Sequence, residues 1–256
     1  MAVLIPKQTP DDDPVAEWVG EDANVPAAKF SFEQAALPPA KIGKVVPFTK
    51  ELARRVDAQN IIEQRMVRAV ARGTDLSFLD PTLAPVAQKN PGSITYGATE
   101  VQSTGATASA VETDVVDALE QLSGGIPSRP YIVLSPSTAL YMARLRTSGN
   151  RVFPNLGLNG GDIFGVPVLI SIEAAHYFIA LDASGIVIAD GGVEIDVSDE
   201  ASIEQSDTPS AGPQNRVSLF QAKAIALKVL RWVSWARRDG AATVIEFPFG
   251  SPGSPA

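Results

Sequence analysis

The sequence contains no cysteine and only one histidine, His176. Without cysteine, disulfide scaffolds, thiolate nucleophiles and cysteine-ligated zinc sites are excluded. A single imidazole cannot build a multi-histidine metal site. No apolar run approaches the roughly 18 residues that a transmembrane helix needs. The first residues also lack the basic segment and long apolar stretch of a secretory signal peptide. These absences favour a soluble, intracellular protein.

Charged residues are few and mostly acidic. Among 256 residues there are 21 lysines and arginines against 29 aspartates and glutamates, which gives a net charge of −8. A protein that holds nucleic acid by neutralising its phosphates is normally basic, so this balance argues against that class. Hydrophobic residues make up 45% of the chain, which is enough for a core in one large domain or two modest ones.

Residues 1–46 lack any helical pattern. Loose alternation over residues 3–5, 15–19 and 30–46 predicts extended strands. Between the first two lie Asp11, Asp12 and Asp13, flanked by prolines. Three aspartates could ligate a metal, but this composition favours a solvated turn. We therefore predict a long hairpin arm with little core of its own, which needs a partner surface.

The clearest helix is predicted over residues 49–72, a stretch with neither proline nor glycine. Thr49 is a suitable N-cap, and Gly73 follows as a natural stop. At 1.5 Å per residue the helix would be about 36 Å long and would serve as a spine for the fold. Its apolar residues recur at near-helical spacing and are expected to face a sheet: Leu52, Val56, Ile62, Met66 and Val70.

Two basic clusters could suggest contact with nucleic acid. The first lies on the long helix: Arg54, Arg55, Arg65 and Arg68. Acidic residues alternate with them, so a solvated face or ion pairs between subunits is favoured. The second lies near the C-terminus: Trp232, Trp235, Arg231, Arg237 and Arg238. Aromatic and basic residues together can bind nucleic acid, but in an acidic chain we favour a packed strand with arginines that extend to solvent.

The remainder of the chain predicts a series of helices and strands. Residues 80–107 predict a loop, and a helix is expected over 111–122, capped by Thr113 or Asp114 and ended by Gly124. A strand over 131–134 should lead through Ser135 into a helix that ends near Arg146. Further strands are predicted at 166–170, 177–180, 186–189, 193–197 and 243–249, and residues 250–256 predict a mobile tail. The apolar residues 217–235 fit helix or strand equally well.

Catalytic groups are nearly absent. A hydrolase would have to use His176 as its base and Ser135, at a strand-to-helix turn, as its nucleophile. However, Ser135 followed by Pro136 is fully explained as a helix cap, and the local motif is Leu-Ser-Pro-Ser rather than Gly-x-Ser-x-Gly. No phosphate-binding loop or dinucleotide fingerprint occurs. We assign no catalytic, cofactor-binding or metal-binding residue and expect a structural or interaction protein, not an enzyme.

Several short motifs occur in an informative order. Residues 18–21 read Trp-Val-Gly-Glu, residues 50–52 Lys-Glu-Leu, residues 132–136 Ile-Val-Leu-Ser-Pro, and residues 164–168 Phe-Gly-Val-Pro-Val. Each is weak alone. In this order and spacing, over residues 3–247, the chain resembles the major capsid proteins of tailed bacteriophages, which have the Hong Kong 97-type fold.

The resemblance implies an α+β subunit. Its parts would be an extended hairpin loop (1–46), a spine helix with a peripheral-domain segment (47–110), an axial domain (111–215), peripheral return strands (216–249) and a mobile tail (250–256). Residues 217–235 would then be strand. The implied function is self-assembly into pentamers and hexamers of an icosahedral phage head in the bacterial host cytoplasm. Scaffolding, portal and decoration proteins would be partners, and packaged double-stranded DNA would be contacted weakly and non-specifically; no cofactor and no membrane is implied.

Two departures from the family pattern limit what the resemblance implies. The chain begins at what resembles the first strand of the extended loop, so we expect it to lack the family's N-terminal arm. The type member also joins its subunits by a lysine–asparagine isopeptide bond assisted by a glutamate. Val25 stands in place of that lysine and the glutamate's counterpart falls near Val229, so no cross-linking residue is transferred, although Lys29 lies close by.

Two other hypotheses stay open at this point. An encapsulin-like nanocompartment shell would share the fold but enclose an enzyme instead of DNA. A hydrolase that uses Ser135 and His176 belongs to a different class of protein.

Overall fold

The computed structural model describes residues 3–8, 18, 32–37, 39–55, 58–125, 127–204 and 216–249. The helices of these residues are α1 (Lys50–Ala53), α2 (Ala58–Leu79), α3 (Ala108–Gln121) and α4 (Pro136–Arg144). The strands of the first half are β1 (Val3–Gln8), β2 (Phe32–Leu37), β3 (Lys41–Thr49), β4 (Thr99–Val101), β5 (Pro130–Leu134), β6 (Arg146–Thr147) and β7 (Asn150–Arg151). Those of the second half are β8 (Gly161–Ile163), β9 (Val166–Ile170), β10 (Tyr177–Asp182), β11 (Ile186–Ser198), β12 (Ser202–Glu204), β13 (Arg216–Ser218), β14 (Ala224–Arg237) and β15 (Ala242–Glu246).

The N-terminal arm contains an antiparallel ribbon of β1 and β2. Val3 lies opposite Leu37 at one end of the ribbon, and Gln8 lies opposite Phe32 at the other. The first strand was expected to end before Pro6, but it continues to Gln8. A two-stranded ribbon has outer edges at which a proline costs no ladder hydrogen bond. The predicted strand over residues 15–19 and the aspartate turn lie outside the described residues, apart from Trp18, whose side chain is fully exposed.

The predicted long helix is interrupted. Thr49 caps α1 as expected, since its hydroxyl accepts a hydrogen bond from the backbone N–H of Leu52 at 3.2 Å. However, α1 ends at Ala53 and the main helix, α2, starts at Ala58. The prediction of one continuous helix over residues 49–72 is therefore wrong. At 22 residues, α2 is about 33 Å long and still forms a spine.

Gly73 does not stop this helix, which continues to Leu79. A Cβ atom at Gly73 would lie only 3.0 Å from the side chain of Ile42 in β3. The glycine therefore allows α2 to approach the sheet closely, and it is not a C-cap. The helix ends one residue before Asp80, whose carboxylate accepts a hydrogen bond from the Thr82 N–H in a turn that contains Pro81.

A three-stranded antiparallel sheet lies under α2, in the order β11-β14-β3. Met66 and Val70 of α2 pack against Leu227 and Val229 of β14, with further apolar residues around them: Ile42, Val46, Phe48 and Ile62. The expected sheet-facing side of the helix is thus confirmed for Ile62, Met66 and Val70. It is wrong for Leu52, which is exposed, while the side chain of Val56 lies outside the described residues.

The strand β11 was expected as two strands but is continuous. The register shifts between Asp190 and Gly192, which is a β-bulge. Glycine is required here because Trp232 lies directly over Gly191, 2.9 Å from where a Cβ would be, and Gly192 has a positive φ of 87°. Residues 217–235 are confirmed as strand, as the family resemblance implies, except for a turn over 219–223 that separates β13 from β14.

A six-stranded mixed sheet, in the order β4-β15-β10-β5-β9-β8, forms the second part of the fold. Helices α3 and α4 supply the buried residues Val111, Val115 and Met142 to its main core. The other large members of this core come mainly from the strands: Ile132, Leu134, Ile163, Phe178, Ile245 and Phe247. The predictions for β5, β9, β10 and β15 are confirmed to within a few residues, and β4 adds a short strand to a segment expected to be loop.

Helix α3 starts earlier than the sequence suggests. Thr107, not Thr113 or Asp114, is the N-cap, and its hydroxyl accepts a hydrogen bond from the N–H of Ala110 at 3.3 Å. Asp114 is fully buried within the helix and instead binds the backbone N–H and hydroxyl of Thr104 and the hydroxyl of Ser103. The prediction that Asp114 caps the helix is therefore wrong. Aspartate is a common N-cap, but here its carboxylate binds groups of the preceding loop instead of the first turn of α3.

Candidate functional site

Ser135 is a buried helix cap. Its hydroxyl accepts a hydrogen bond from the backbone N–H of Thr138 at 3.2 Å. It also lies 2.9 Å from the hydroxyl of Thr138 and 3.0 Å from that of Ser137. These contacts are those of the N-cap of α4, as the sequence predicts. A nucleophile needs an accessible hydroxyl beside a base, so this environment does not favour a hydrolase.

His176 has a different partner. Its Nε2 atom lies 3.0 Å from a carboxylate oxygen of Glu246, and its ring packs beside Tyr177 with ring centres 4.3 Å apart. No hydrogen bond joins His176 to Ser135 in the described part of the chain. The structure therefore does not bring the two residues of the hydrolase hypothesis together as nucleophile and base.

Asp182, at the end of β10, is a fully buried acid. It accepts hydrogen bonds of 2.7–3.4 Å from two hydroxyl and three backbone groups: Ser123 Oγ, Ser184 Oγ, and the N–H groups of Ser128, Arg129 and Ser184. Burial alone raises the pKa of this carboxyl, but the hydrogen bonds outweigh burial and lower the pKa to about 2. Asp182 therefore ties together the turn after α3, the loop before β5 and the turn after β10. Its role is to stabilise the fold.

Trp235 and Arg237 of the C-terminal cluster hold the loop that follows α2. The indole N–H of the buried Trp235 donates a hydrogen bond to the carbonyl of Gly92 at 2.7 Å. The guanidinium of Arg237 donates to the carbonyls of Ile94 and Gly97 at 2.8 and 3.1 Å. These contacts agree with the expected packed strand. The arginines of the predicted long helix are exposed, as expected for a solvated face: Arg54 and Arg55 lie between α1 and α2, and Arg65 and Arg68 lie on α2.

An apolar stripe runs along β11 on the face of the sheet that carries α2. It consists of Ile188, Val193, Ile195 and Val197, each between 45% and 55% exposed. Their opposite residues on β14 include the buried Trp235, Val229 and Leu227, which shows that both strands direct these side chains to the same face. The helix covers β14 and β3 but leaves the β11 stripe open. The outer edge of β11 has no hydrogen-bonded strand among the described residues.

A second surface feature is an open groove of about 430 Å³. It is lined by Pro39 and Lys41 at the start of β3, Gln88 and Lys89 in the loop after α2, and Trp232 of β14. The ammonium group of Lys41 lies 5.6 Å from the centre of the Trp232 ring, a cation–π contact. We call this feature the lysine–tryptophan groove. It combines two cations with apolar rings in a chain whose net charge is −8.

The described residues were also compared with the requirements of metal centres and membrane spans. The described residues contain no cluster of three or more metal-ligating side chains. Over the same ranges, no helix is both long and apolar enough to cross a membrane.

Comparison with known proteins identifies the family to which the chain belongs. The profile of the phage capsid family matches residues 3–231. The chain belongs to the phage capsid family. The capsid polyprotein of Pseudomonas phage PAJU2 is 32% identical over 239 residues, which cover 88% of this chain and 36% of that protein. The chain thus spans about a third of the length of this curated relative.

Solved structures show the fold of this phage capsid family member. A structure from Gordonia phage Cozz matches with a TM-score of 0.71 and 17% identity, over 95% of this chain and 80% of that one. One from Mycobacterium phage Bobi matches with a TM-score of 0.72 and 13% identity, over 96% and 85%. The capsid of an empty GTA particle matches with a TM-score of 0.60 and 15% identity, over 96% and 84%. The expected α+β Hong Kong 97-type fold is confirmed.

Three features of this capsid family chain were missed by sequence reasoning. The alternation of Val193, Ile195 and Val197 with acidic residues predicts a half-buried strand, but only the structure shows that α2 leaves this face open. The lysine–tryptophan groove joins positions far apart in the sequence, so no local pattern could reveal it. Asp182 had no local signal beyond its position after an apolar strand.

Proposed function

We propose that this chain is a shell subunit that assembles with copies of itself, as pentamers and hexamers, into an icosahedral phage head that encloses double-stranded DNA. The observation that carries the proposal is the match to the phage capsid family over residues 3–231. The absence of a catalytic arrangement around Ser135 and His176 is consistent with a structural role.

Two surfaces of the subunit support this proposal. The β11 stripe exposes four aliphatic side chains next to an edge without a hydrogen-bonded strand among the described residues, with the Asp190–Arg231 ion pair between Ile188 and Val193. Contiguous apolar surface and unpaired edges are uncommon on monomeric proteins and mark contact surfaces. The β1–β2 ribbon consists of two strands, and a ribbon of only two strands is marginally stable by itself in water. Both features fit a subunit whose neighbours cover it.

The finer organisation follows from the same proposal. The hairpin (residues 1–46) and the segments 47–110 and 216–249 form the loop and peripheral parts, and residues 111–215 form the axial part around the symmetry axes. Scaffolding, portal and decoration proteins are the expected further partners. Assembly takes place in the bacterial host cytoplasm, and the product is the virion capsid.

Electron microscopy of the purified protein, together with analytical ultracentrifugation, tests this function. We expect closed shells or rings of five or six subunits. Ile195→Lys should reduce assembly while leaving the subunit folded, because the side chain is already half exposed. Glu194→Lys is the matched control, since its neighbouring side chain points to the opposite face of β11. Monomers at every concentration would contradict the proposal, and shells that contain a protein cargo would support a nanocompartment instead.

A further inference from the structure

The short hairpin β6–β7 presents two arginines side by side. Arg146 of β6 lies directly opposite Arg151 of β7. One step further from the turn, the N–H of Val152 donates a hydrogen bond to the carbonyl of Leu145 at 3.1 Å. Hydrogen-bonded and non-hydrogen-bonded pairs alternate along an antiparallel ladder, so the two arginines form a non-hydrogen-bonded pair. In such pairs the side chains lie closest, with Cβ atoms about 5 Å apart.

The hairpin directs these arginines away from the core. Leu145 and Val152 pack against the main core. Since successive side chains of a strand point to opposite faces, Arg146 and Arg151 point outwards, and both are exposed. Neither forms an ion pair with another described residue, although the Arg146 guanidinium donates to the carbonyl of Gly149 at 3.1 Å. Like charges directly opposite each other destabilise a ladder, so an anionic group placed against this pair would stabilise it.

The C-terminal end of α3 carries the complementary charge. Asp117 and Glu120 lie three residues apart, which places their Cβ atoms about 5–6 Å apart on one side of the helix. No basic residue occupies the last turn. Carboxylates are unfavourable there, because that end carries the negative end of the helix dipole. A cation close by in the structure, Arg238, lies beside Ser123 and pairs with Asp182 instead.

The arginine pair and the carboxylate pair match in sign and in spacing. Both pairs are about 5 Å wide at their Cβ atoms, so each guanidinium can meet one carboxylate. Within the subunit, no ion pair joins the hairpin to α3 over the described ranges. We propose that Arg146 and Arg151 of one subunit bind Asp117 and Glu120 of a second copy of this chain. This inference rests on the proposed self-assembly and names one contact within it.

The proposed contact joins two different surfaces of the same chain. Contacts of this head-to-tail kind generate closed rings when the rotation between subunits closes. Two exposed ion pairs contribute little to affinity, so their main effect is to set the orientation in which neighbouring subunits meet. Salt screens exposed charges, so the contact should weaken as ionic strength rises.

Exchange of the charges tests the contact, with sedimentation velocity of the full chain as the assay. Arg146→Glu combined with Arg151→Glu should weaken association about tenfold, because carboxylates would then face carboxylates. Asp117→Lys combined with Glu120→Lys should weaken it to the same extent. A variant with all four changes should associate as the wild type does, since the ion pairs are restored with opposite polarity.

The matched control changes two arginines outside the contact. Arg65→Glu combined with Arg68→Glu alters the net charge as the hairpin variant does, on the exposed side of α2, and should leave association unchanged. Melting temperatures of all variants should stay close to that of the wild type, because none of the changed side chains is buried. Equal weakening by the control, or no recovery in the fourfold variant, would overturn the proposal.

Cross-linking locates the contact directly, because the chain has no cysteine of its own. Asn150→Cys places a thiol on the hairpin, and Gln121→Cys places one beside Glu120; both positions are exposed. A mixture of the two single variants should give a covalent dimer with a short bismaleimide, and less of it at high salt. Either variant alone should give none, since the contact joins a hairpin to a helix. Equal cross-linking in the unmixed samples would contradict this arrangement.

The remaining outcomes separate this contact from the shell proposal. Cross-linked dimers without closed particles would count against the shell alone. Closed particles that form equally well from the Arg146/Arg151 variant and give no cross-link would count against this contact alone. Binding of a duplex oligonucleotide that is lost in the Arg146/Arg151 variant, with association unchanged, would show that the arginines hold phosphate and would also overturn the contact.

Discussion

Replacing Asp182 by asparagine removes the carboxylate that accepts five hydrogen bonds at the end of β10. The fall of its pKa from 3.8 to about 2 means that the folded state favours the ionised form by about 2 kcal/mol. Asparagine keeps the volume but turns an NH₂ group towards donors such as the Ser123 hydroxyl. With unsatisfied donors added to the lost charge, we expect a loss of about 3 kcal/mol in the free energy of unfolding. For a chain of this length, that lowers the melting temperature by roughly 10 °C.

The assay is urea unfolding of isolated subunits between pH 2 and pH 7. The unfolded chain takes up a proton at Asp182 near pH 3.8 and the folded chain only near pH 2. The contribution of the carboxylate is therefore complete above about pH 5 and is lost as the pH falls towards 2. The difference between the wild type and Asp182→Asn should shrink over that range. Asp196→Asn, at an exposed surface pair, is the control and should leave the unfolding midpoint unchanged. Equal stability at pH 7, or a difference that is constant down to pH 2, would refute this reasoning.

Three further predictions test the packing, the covalent state and the arm. Ile62→Asp places a charge beside Met66 and should cost about 3 kcal/mol, whereas Ile61→Asp, on the exposed side of α2, should leave the melting temperature almost unchanged; equal melting temperatures would contradict the packing of α2. Boiled particles should migrate as 27.0 kDa subunits on a denaturing gel because Val25 cannot form an isopeptide bond, and a ladder of bands would point to Lys29. Amide hydrogens of β1 should exchange quickly in isolated subunits and slowly in particles, since a ribbon is marginal alone; the same protection in both states would argue against a role in subunit contacts.

The elements predicted well are those whose signals are local. Ser135 before Pro136 identifies the start of α4, because the capping hydroxyl and the fixed proline φ act on adjacent residues. The strand over 166–170 agrees with the structure at both ends. Its β8 partner is joined to it by the two-residue turn Phe164-Gly165, where both residues have positive φ. For the apolar residues 217–235, local pattern was insufficient, and the family resemblance decided in favour of strand.

The predictions that failed depended on contacts between distant segments. Glycine commonly ends a helix, yet Gly73 lies inside α2. Its lack of a side chain lets the helix pack closely against Ile42, which is far away in the sequence. Aspartate commonly caps the start of a helix, yet Asp114 is buried inside α3 and accepts hydrogen bonds from Thr104. In both cases the residue type was interpreted correctly as unusual for a helix interior. For Gly73 the reason lay in packing against a distant strand, and for Asp114 it lay in the fold of the loop before α3, which residue type alone does not specify.

The β11 strand shows how one edge can present an apolar contact surface and still discourage indiscriminate pairing. Its α2 side carries the aliphatic stripe, and its other side carries Glu194 and Asp196, the latter paired with Lys228. The bulge at Gly191 and Gly192 adds local twist and breaks the regular spacing of hydrogen-bonding groups. A long, flat, uncharged edge would accept any exposed strand, whereas a bulged and acidic one accepts only a surface that matches its shape and charge. A partner that covers the aliphatic side chains without extending the ladder fits this edge better than an added strand does. We therefore expect the neighbouring subunit to cover the stripe with side chains, and not to continue the sheet.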